Sequence, residues 1–408
     1  MLTYRYVIIG GGVTAGYAAA EFAKHGLFEG ELCILSAEDT LPYDRPPLSK
    51  EYLAGEKSID GILINEPEFY RQNGIEVKLE TPATRVDLPG KLLYTQDDAI
   101  AYEQLLIATG ARPRVLNVPG ADLDNIFYLR TVKDASQIHR AASEAKKAVI
   151  VGGGFIGMEA ASVLQRLGVD TTMVFPDARV WQSFFTEEMS DFFEAYYGER
   201  GVTILPNMTI DSFHGEGGVT HAITSTGRRI KADIVVVGIG VKPNTELFKD
   251  SGLQLGEDAI AVNRFLETNM PGVLAAGDVT RYKDILYDRP LHIEHWDNAV
   301  EQGRHAARVM LGEYQPYEHV PYFFSDEFDL SFDFWGDSQG AAEVVHRGDV
   351  QSGKFSVWWL AANGRLLAAF VMDRPKEESD LAPKWIESRK VLSGNWLRNE
   401  ERLSPEPA

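Results

Sequence analysis

The 408-residue chain has one cysteine, Cys33, set in the apolar run Glu31-Leu-Cys-Ile-Leu-Ser36. A lone thiol cannot form an intramolecular disulfide, structural or catalytic, so a relay of electrons through a cysteine pair is excluded. Cys33 itself reads as a small apolar residue of a buried strand. Long hydrophobic runs are also missing, since no stretch approaches the roughly 20 apolar residues of a membrane helix. Met1 to Tyr6 leads directly into an apolar strand with no basic segment or cleavage site, so a soluble, cytoplasmic protein is expected. Basic residues are in deficit, 40 Lys and Arg against 60 Asp and Glu, for a formal charge of −20. Nucleic acid and anionic membranes reward a positive surface, and neither is an expected partner. There is no Gly-x-Ser-x-Gly elbow and no histidine pair at ligand spacing, so no acyl chemistry and no metal site are expected.

What is present is one pattern written twice. Tyr6-Val-Ile-Ile-Gly-Gly-Gly-Val-Thr-Ala15 and Ala148-Val-Ile-Val-Gly-Gly-Gly-Phe-Ile-Gly157 each run from a β-branched strand through three glycines into an apolar helical pattern. A second apolar run follows each, Leu32 to Leu35 and Thr171 to Val174. This is the strand, turn, helix, strand unit of a dinucleotide-binding fold, in two copies, in a chain long enough for two or three domains. Gly10 and Gly152 permit the tight turn, and Gly12 and Gly154 let the backbone approach a pyrophosphate. Ala15 and Gly157 keep the helix close to its strand. The pyrophosphate would sit on the free N–H groups at the positive end of the helix. Three more apolar strands end in glycine: Leu105 to Gly110, carrying Ala108-Thr109-Gly110, Ile234 to Gly240, and Val273 to Gly277. Asp278 follows the last, placed to bond a sugar-alcohol hydroxyl at the carboxyl edge of a parallel sheet.

The segment Leu41-Pro-Tyr-Asp-Arg-Pro-Pro-Leu-Ser-Lys50, with Ala108-Thr-Gly110, Tyr128-Leu-Arg-Thr-Val-Lys-Asp-Ala135 and Ile293-Glu-His-Trp296, resembles the pyridine nucleotide-disulfide oxidoreductase fold. The similar branch holds NAD(P)H:ferredoxin reductases, apoptosis-inducing-factor-like proteins and monodehydroascorbate reductases. The resemblance implies an α/β fold of two Rossmann-like domains, for FAD and NAD(P)H, plus a small α+β C-terminal domain. An FAD domain is expected from residues 1–115 and 245–322, an NAD(P)H domain from 116–244, and a C-terminal interface domain from 323–408, which leaves a homodimer open. The run Tyr322 to Leu330, with Phe332, Phe334 and Trp335, is too aromatic for a linker.

Hydride transfer to a flavin favours a positive group beside the ring, and the resemblance offers Lys50, paired with Glu159, which would keep it protonated. Trp296 and His295 lie on a segment that faces the flavin in relatives, so Lys50, Glu159 and Trp296 form the expected catalytic set. Arg45 and Arg130 suit phosphate or flavin oxygens. Glu38 lies where an acid binds the adenosine ribose, one residue later than in the family, which has it at the position of Ala37. With these, Gly10, Gly12, Ala15, Ala108, Thr109, Gly110, Gly277 and Asp278 make up the FAD site. Gly152, Gly154, Phe155, Ile156, Gly157, Glu159, Asp177 and Gly240 make up the NAD(P)H site. After Val174 the chain reads Phe175-Pro-Asp-Ala-Arg179. The acid that favours NADH is absent from its usual place. Asp177 could substitute and Arg179 could instead accept a 2′-phosphate, so NADH and NADPH both stay open.

With no cysteine pair, electrons must leave the flavin directly. The leading expectation is transfer to a small redox protein such as a ferredoxin, with Lys376, Lys384, Arg389, Lys390 and Arg398 as a local basic patch on an acidic surface. The alternatives are reduction of monodehydroascorbate or a quinone, and a redox-sensing role like that of apoptosis-inducing factor.

Overall fold

A computed structural model describes residues 1–399 of the chain. The apolar runs become the central strands of two parallel sheets, one in each of two compact units. The first unit is residues 1–45, 58–112 and 241–321, and the second is 46–57, 113–240 and the chain from 322 onward.

In the first unit, Leu2–Ile9 pairs in parallel with Leu32–Leu35 on one side and Ala99–Ile107 on the other. Glu76–Lys78 and Val273–Ala275 extend the two flanks, also in parallel. Parallel strands are covered on both faces, which is why these segments are continuously apolar rather than alternating. Val7, Ile8, Leu105 and Leu106 are fully buried, as is Cys33, whose thiol is pushed up to about 12 by burial and then by Glu76. The helices Val13–Lys24 and Trp296–Met310 approach so closely that a Cβ on Gly303 would fall 2.4 Å from the Thr14 carbonyl oxygen.

In the second unit, Lys147–Val151 lies between Asp170–Val174 and Ile234–Val237, with Thr203–Leu205 and Ile126–Tyr128 outermost, all parallel. The helix Phe155–Arg166 follows the central strand. The same unit carries a five-stranded antiparallel sheet, in spatial order Tyr322–Glu327, Leu330–Gly336, Leu366–Met372, Lys354–Leu360 and Glu343–Asp349. Its core is aromatic: Phe332, Phe355, Trp358 and Phe370 are buried, and the Phe332 and Phe370 rings lie 5.0 Å apart. Rings at that spacing add to simple area burial, so the aromatic run after Tyr322 is core-forming. Residues 400–408, the end of the expected C-terminal domain, lie outside the described residues. Among the described residues no helix is long and apolar enough to cross a membrane.

Candidate functional site

Each parallel sheet ends in a glycine turn of the same construction. Gly10 has φ +117° and a Cβ there would lie 2.1 Å from the Ala108 carbonyl oxygen; Gly152 has φ +126° and its Cβ would lie 2.1 Å from the Gly238 carbonyl oxygen. No other residue fits either position. Two residues on, the situation reverses. A Cβ on Gly12 would meet only Arg45 Nη2, at 3.6 Å, and one on Gly154 would meet nothing within 4 Å. The helices that begin here have no side-chain cap and no acidic residue in the first turn. Helices Val132–Ala142 and Glu187–Glu199, by contrast, are capped by Thr131 and Thr186 and carry acids in the first turn. Uncapped N–H groups at the positive end of a helix, faced by open space, fit the donor set a diphosphate needs. Gly157 is required because its Cβ would fall 2.2 Å from the Gly152 oxygen. Ala15, at the corresponding place, carries a methyl that is fully buried.

Around the first turn the structure gathers Glu38, Arg45, Ala108 to Gly110 and Asp278. Arg45 Nη2 donates to Glu38 Oε1 at 3.0 Å, and the Tyr43 hydroxyl donates to Glu38 Oε2. Thr109 is clamped by Asn244, its hydroxyl donating to the Asn244 carbonyl at 2.9 Å. The Gly277 N–H and the Thr280 hydroxyl both donate to Gln302 Oε1, at 2.8 and 3.0 Å, which fixes the turn that carries buried Asp278. Trp296 opens its helix with its indole N–H donating to Asp44 Oδ1 at 2.7 Å and its ring edge-on to Tyr17. His295 precedes it, its imidazole pushed down to about 4 by burial, and is therefore neutral at neutral pH. Sequence reasoning missed Tyr43, Asp44 and Gln302. The first two lay inside the quoted Leu41 to Lys50 segment, whereas nothing in the sequence marks Gln302.

Around the second turn, Phe155 packs its ring 4.8 Å from Phe323 and 5.2 Å from Phe184, and Ile156 lies against Gly238. Gly240 has φ +91° and its carbonyl accepts from the Arg114 N–H at 2.9 Å. Asp177 is exposed just past Asp170–Val174, while Arg179 pairs with Glu187 and with Asp191 at 3.3 Å. Arg130 belongs to this unit and not to the one that holds Gly10 and Glu38.

Lys50 also lies in the second unit. Pro46 and Pro47 open a short 3₁₀ turn, Pro46–Ser49, whose fixed φ angles aim the residues that follow. The segment is tied to helix Val132–Ala142 by Tyr52 with Ser136, at 3.0 Å, and by His139 with the Leu53 carbonyl, at 2.8 Å. Lys50 Nζ then sits 3.4 Å from Glu159 Oε1, 3.1 Å from Asp326 Oδ2 and 4.2 Å from the centre of the Phe324 ring. Burial alone would lower the Lys50 ammonium, but Glu159 and Asp326 overcome it and hold the group above its ordinary value. Ser49 donates to Glu159 Oε2, and Ser325 donates to Glu159 Oε1 at 2.5 Å. Asp326, Ser325 and the neighbouring Glu327 were not anticipated as site residues. They lay unassigned within the aromatic run after Tyr322.

The family model described as pyridine nucleotide-disulphide oxidoreductase matches residues 4–303, and one described as reductase C-terminal matches 322–401. A monodehydroascorbate reductase of Solanum lycopersicum is 37% identical over 94% of this chain and 94% of its own length. A monodehydroascorbate reductase named as cytosolic, from Oryza sativa subsp. japonica, is 37% identical over 93% of each. Among solved structures, the putidaredoxin reductase–putidaredoxin complex matches with TM-score 0.93 and 31% identity, covering 98% of this chain and 97% of that one. The ferredoxin reductase for the CYP199A2 system of Rhodopseudomonas palustris matches with TM-score 0.93 and 29% identity, covering 98% of both. The chain belongs to the pyridine nucleotide-disulphide oxidoreductase family and is an FAD-dependent NAD(P)H oxidoreductase with a reductase-type C-terminal domain.

Proposed function

We propose that the protein takes electrons from NADH and passes them singly to a small one-electron redox protein of the ferredoxin kind. The observation that carries this is the pair of glycine turns, each open where a diphosphate would lie, in a chain with no second cysteine to intervene. Bound FAD supplies the chemistry, accepting a hydride's two electrons together and releasing them one at a time. The chain's own residues bind and orient. Gly10, Gly12 and the helix from Val13 hold the FAD diphosphate, Glu38 a ribose, Arg45 the anionic oxygens, and Asp278 a sugar-alcohol hydroxyl. Gly152, Gly154 and the helix from Phe155 hold the nucleotide diphosphate. Lys50 supplies positive charge where negative charge develops, and Glu159 and Asp326 keep it protonated.

NADH is favoured over NADPH because Arg179 is already engaged by two carboxylates, which would also repel a 2′-phosphate, while exposed Asp177 is open to ribose hydroxyls. Releasing Arg179 in the double variant Glu187→Gln, Asp191→Asn should improve kcat/KM for NADPH by about tenfold, or roughly 1.4 kcal/mol. Steady-state assays with both coenzymes check this, and a wild-type preference for NADPH would reverse the assignment.

A protein acceptor is favoured over a small anion because the Lys50 charge is already met by carboxylates. Docking by an acidic partner would use Lys384 and Arg389, both exposed near the end of helix Lys376–Glu387. Reduction of monodehydroascorbate is the second reading, favoured by the 37% identity to reductases of that name. Anaerobic reduction by NADH, followed by mixing with a ferredoxin or with enzymatically generated ascorbate radical, separates the two. Fast reoxidation by the ferredoxin, slowing as salt is raised, is expected. Fast reoxidation by the radical alone would overturn it.

A further inference from the structure

The Ser325 hydroxyl stands between two buried carboxyl groups. Its Oγ lies 2.5 Å from Glu159 Oε1 and 2.8 Å from Glu327 Oε1. A hydroxyl has one hydrogen, so it can donate to only one of them; the other contact is favourable only if that carboxyl carries a proton and donates back. The far side of Glu327 repeats the shortage. Its Oε2 meets the Tyr197 hydroxyl, which also lies 3.0 Å from the Met158 carbonyl oxygen, again one hydrogen for two acceptors. The charges agree with the hydrogen count. Glu159, Glu327 and Asp326 face a single Lys50 ammonium, and Asp326 alone of the three acids reaches solvent, at 45% side-chain exposure. Glu327 is fully buried, and burial followed by the charge of Glu159 holds its carboxyl well above the usual range. Tyr197 is also pushed well above its ordinary value, by burial and then by Glu327, so it stays a donor.

We propose that Glu327 is a resident proton store that shares its proton with Glu159 through the Ser325 hydroxyl. In the transfer the Glu327 O–H bond breaks and its proton goes to Ser325 Oγ, while the proton already on Ser325 passes to Glu159 Oε1; no proton is drawn from water and none is lost. Before the transfer Glu159, 3.4 Å from the Lys50 ammonium, is a carboxylate, and after it a neutral acid. The negative charge therefore moves from Glu159 to Glu327 with little movement of heavy atoms, and the net charge of the cluster is unchanged. Such a device suits a protein in which electrons arrive in pairs and depart singly, because the local field can follow the electron count.

The test uses the purified holoenzyme, labelled with ¹³C-glutamate, in infrared spectra recorded in H₂O and D₂O at alkaline pH. Wild type should show the carbonyl stretch of a protonated glutamic acid, shifted by deuteration, and Glu327→Gln should lose it. The carboxamide can still accept from Tyr197 and donate to Ser325, so the fold should survive. Absence of the band in wild type, or its removal by Glu159→Gln but not by Glu327→Gln, overturns the proposal. Thermal unfolding gives a second reading. An unfolded glutamate titrates near about 4.3, and the folded group titrates higher, so wild type loses stability as pH rises through that window. The melting temperature of Glu327→Gln should therefore exceed that of wild type by more at pH 8 than at pH 5, and an equal gap at both would overturn the proposal. Neither readout involves an electron acceptor, so failure here is distinct from failure of the proposed function.

Discussion

Gly154→Ala should leave the protein folded and yellow, yet weaken NADH binding by about one to two orders of magnitude. The added methyl meets nothing within 4 Å in the protein, and the backbone at Gly154, with φ −96° and ψ −167°, is an ordinary extended conformation. Its cost to the helix start is at most about 1 kcal/mol. The methyl would, however, occupy the space in front of the uncapped N–H groups, and each charge-assisted hydrogen bond lost there costs about 1.5–3 kcal/mol. Gly152→Ala is the contrasting variant, because its methyl would be driven to 2.1 Å from the Gly238 oxygen at a φ of +126°. That variant should lose stability as well as binding, since two adjacent strand ends must separate. A melting curve and a KM for NADH on each protein check both statements. An unchanged KM in a well-folded Gly154→Ala protein would remove the nucleotide from this turn.

Lys50→Ala should both destabilise the second unit and slow reduction by NADH. Lys50 and Glu159 have side chains only 8% exposed, so removing the cation leaves a buried carboxylate without its ion-pair partner. Breaking a buried pair in this way typically costs about 3–5 kcal/mol. Adding Glu159→Gln to Lys50→Ala should return much of the stability, since the uncompensated charge is then gone. The rate of reduction should not recover in the double variant. Removing one preorganised group that stabilises developing negative charge costs on the order of 10²-fold, and a glutamine at residue 159 does not replace it. Denaturant midpoints and stopped-flow reduction separate the two effects. A Lys50→Ala protein that is reduced at the wild-type rate would leave Lys50 with a structural role only.

The features legible from sequence were those with a local physical cause. Gly10 and Gly152 need positive φ, and a carbonyl stands where a side chain would go, so the residue type itself reports the geometry. The continuous apolar runs Tyr6 to Ile9 and Ala148 to Val151 reported parallel strands covered on both faces. Glu38 was legible as an acid past the second strand, but its capture by Arg45 and Tyr43 was not. Gln302 was invisible because an interior glutamine on a helix has no signature until its carbonyl is seen to accept from Gly277 and Thr280. Arg179 illustrates the opposite case. Its type left two coenzymes open, and only its pairing with Glu187 and Asp191 gave a reason to prefer one.

By itself, then, the order of residues determined that two dinucleotide turns occur in one chain and that no pair of thiols can stand between donor and acceptor. Both follow from properties each residue carries wherever it is placed: the missing Cβ of glycine, the need of a disulfide for two cysteines. Only the tertiary structure decided what surrounds Lys50. Asp326 lies 276 positions away along the chain, and Ser325 meets Glu159 across 166. Contacts over such separations are created by how sheets and helices pack, and the charge and proton count of a buried cluster depends on the whole set of neighbours rather than on the identity of any one.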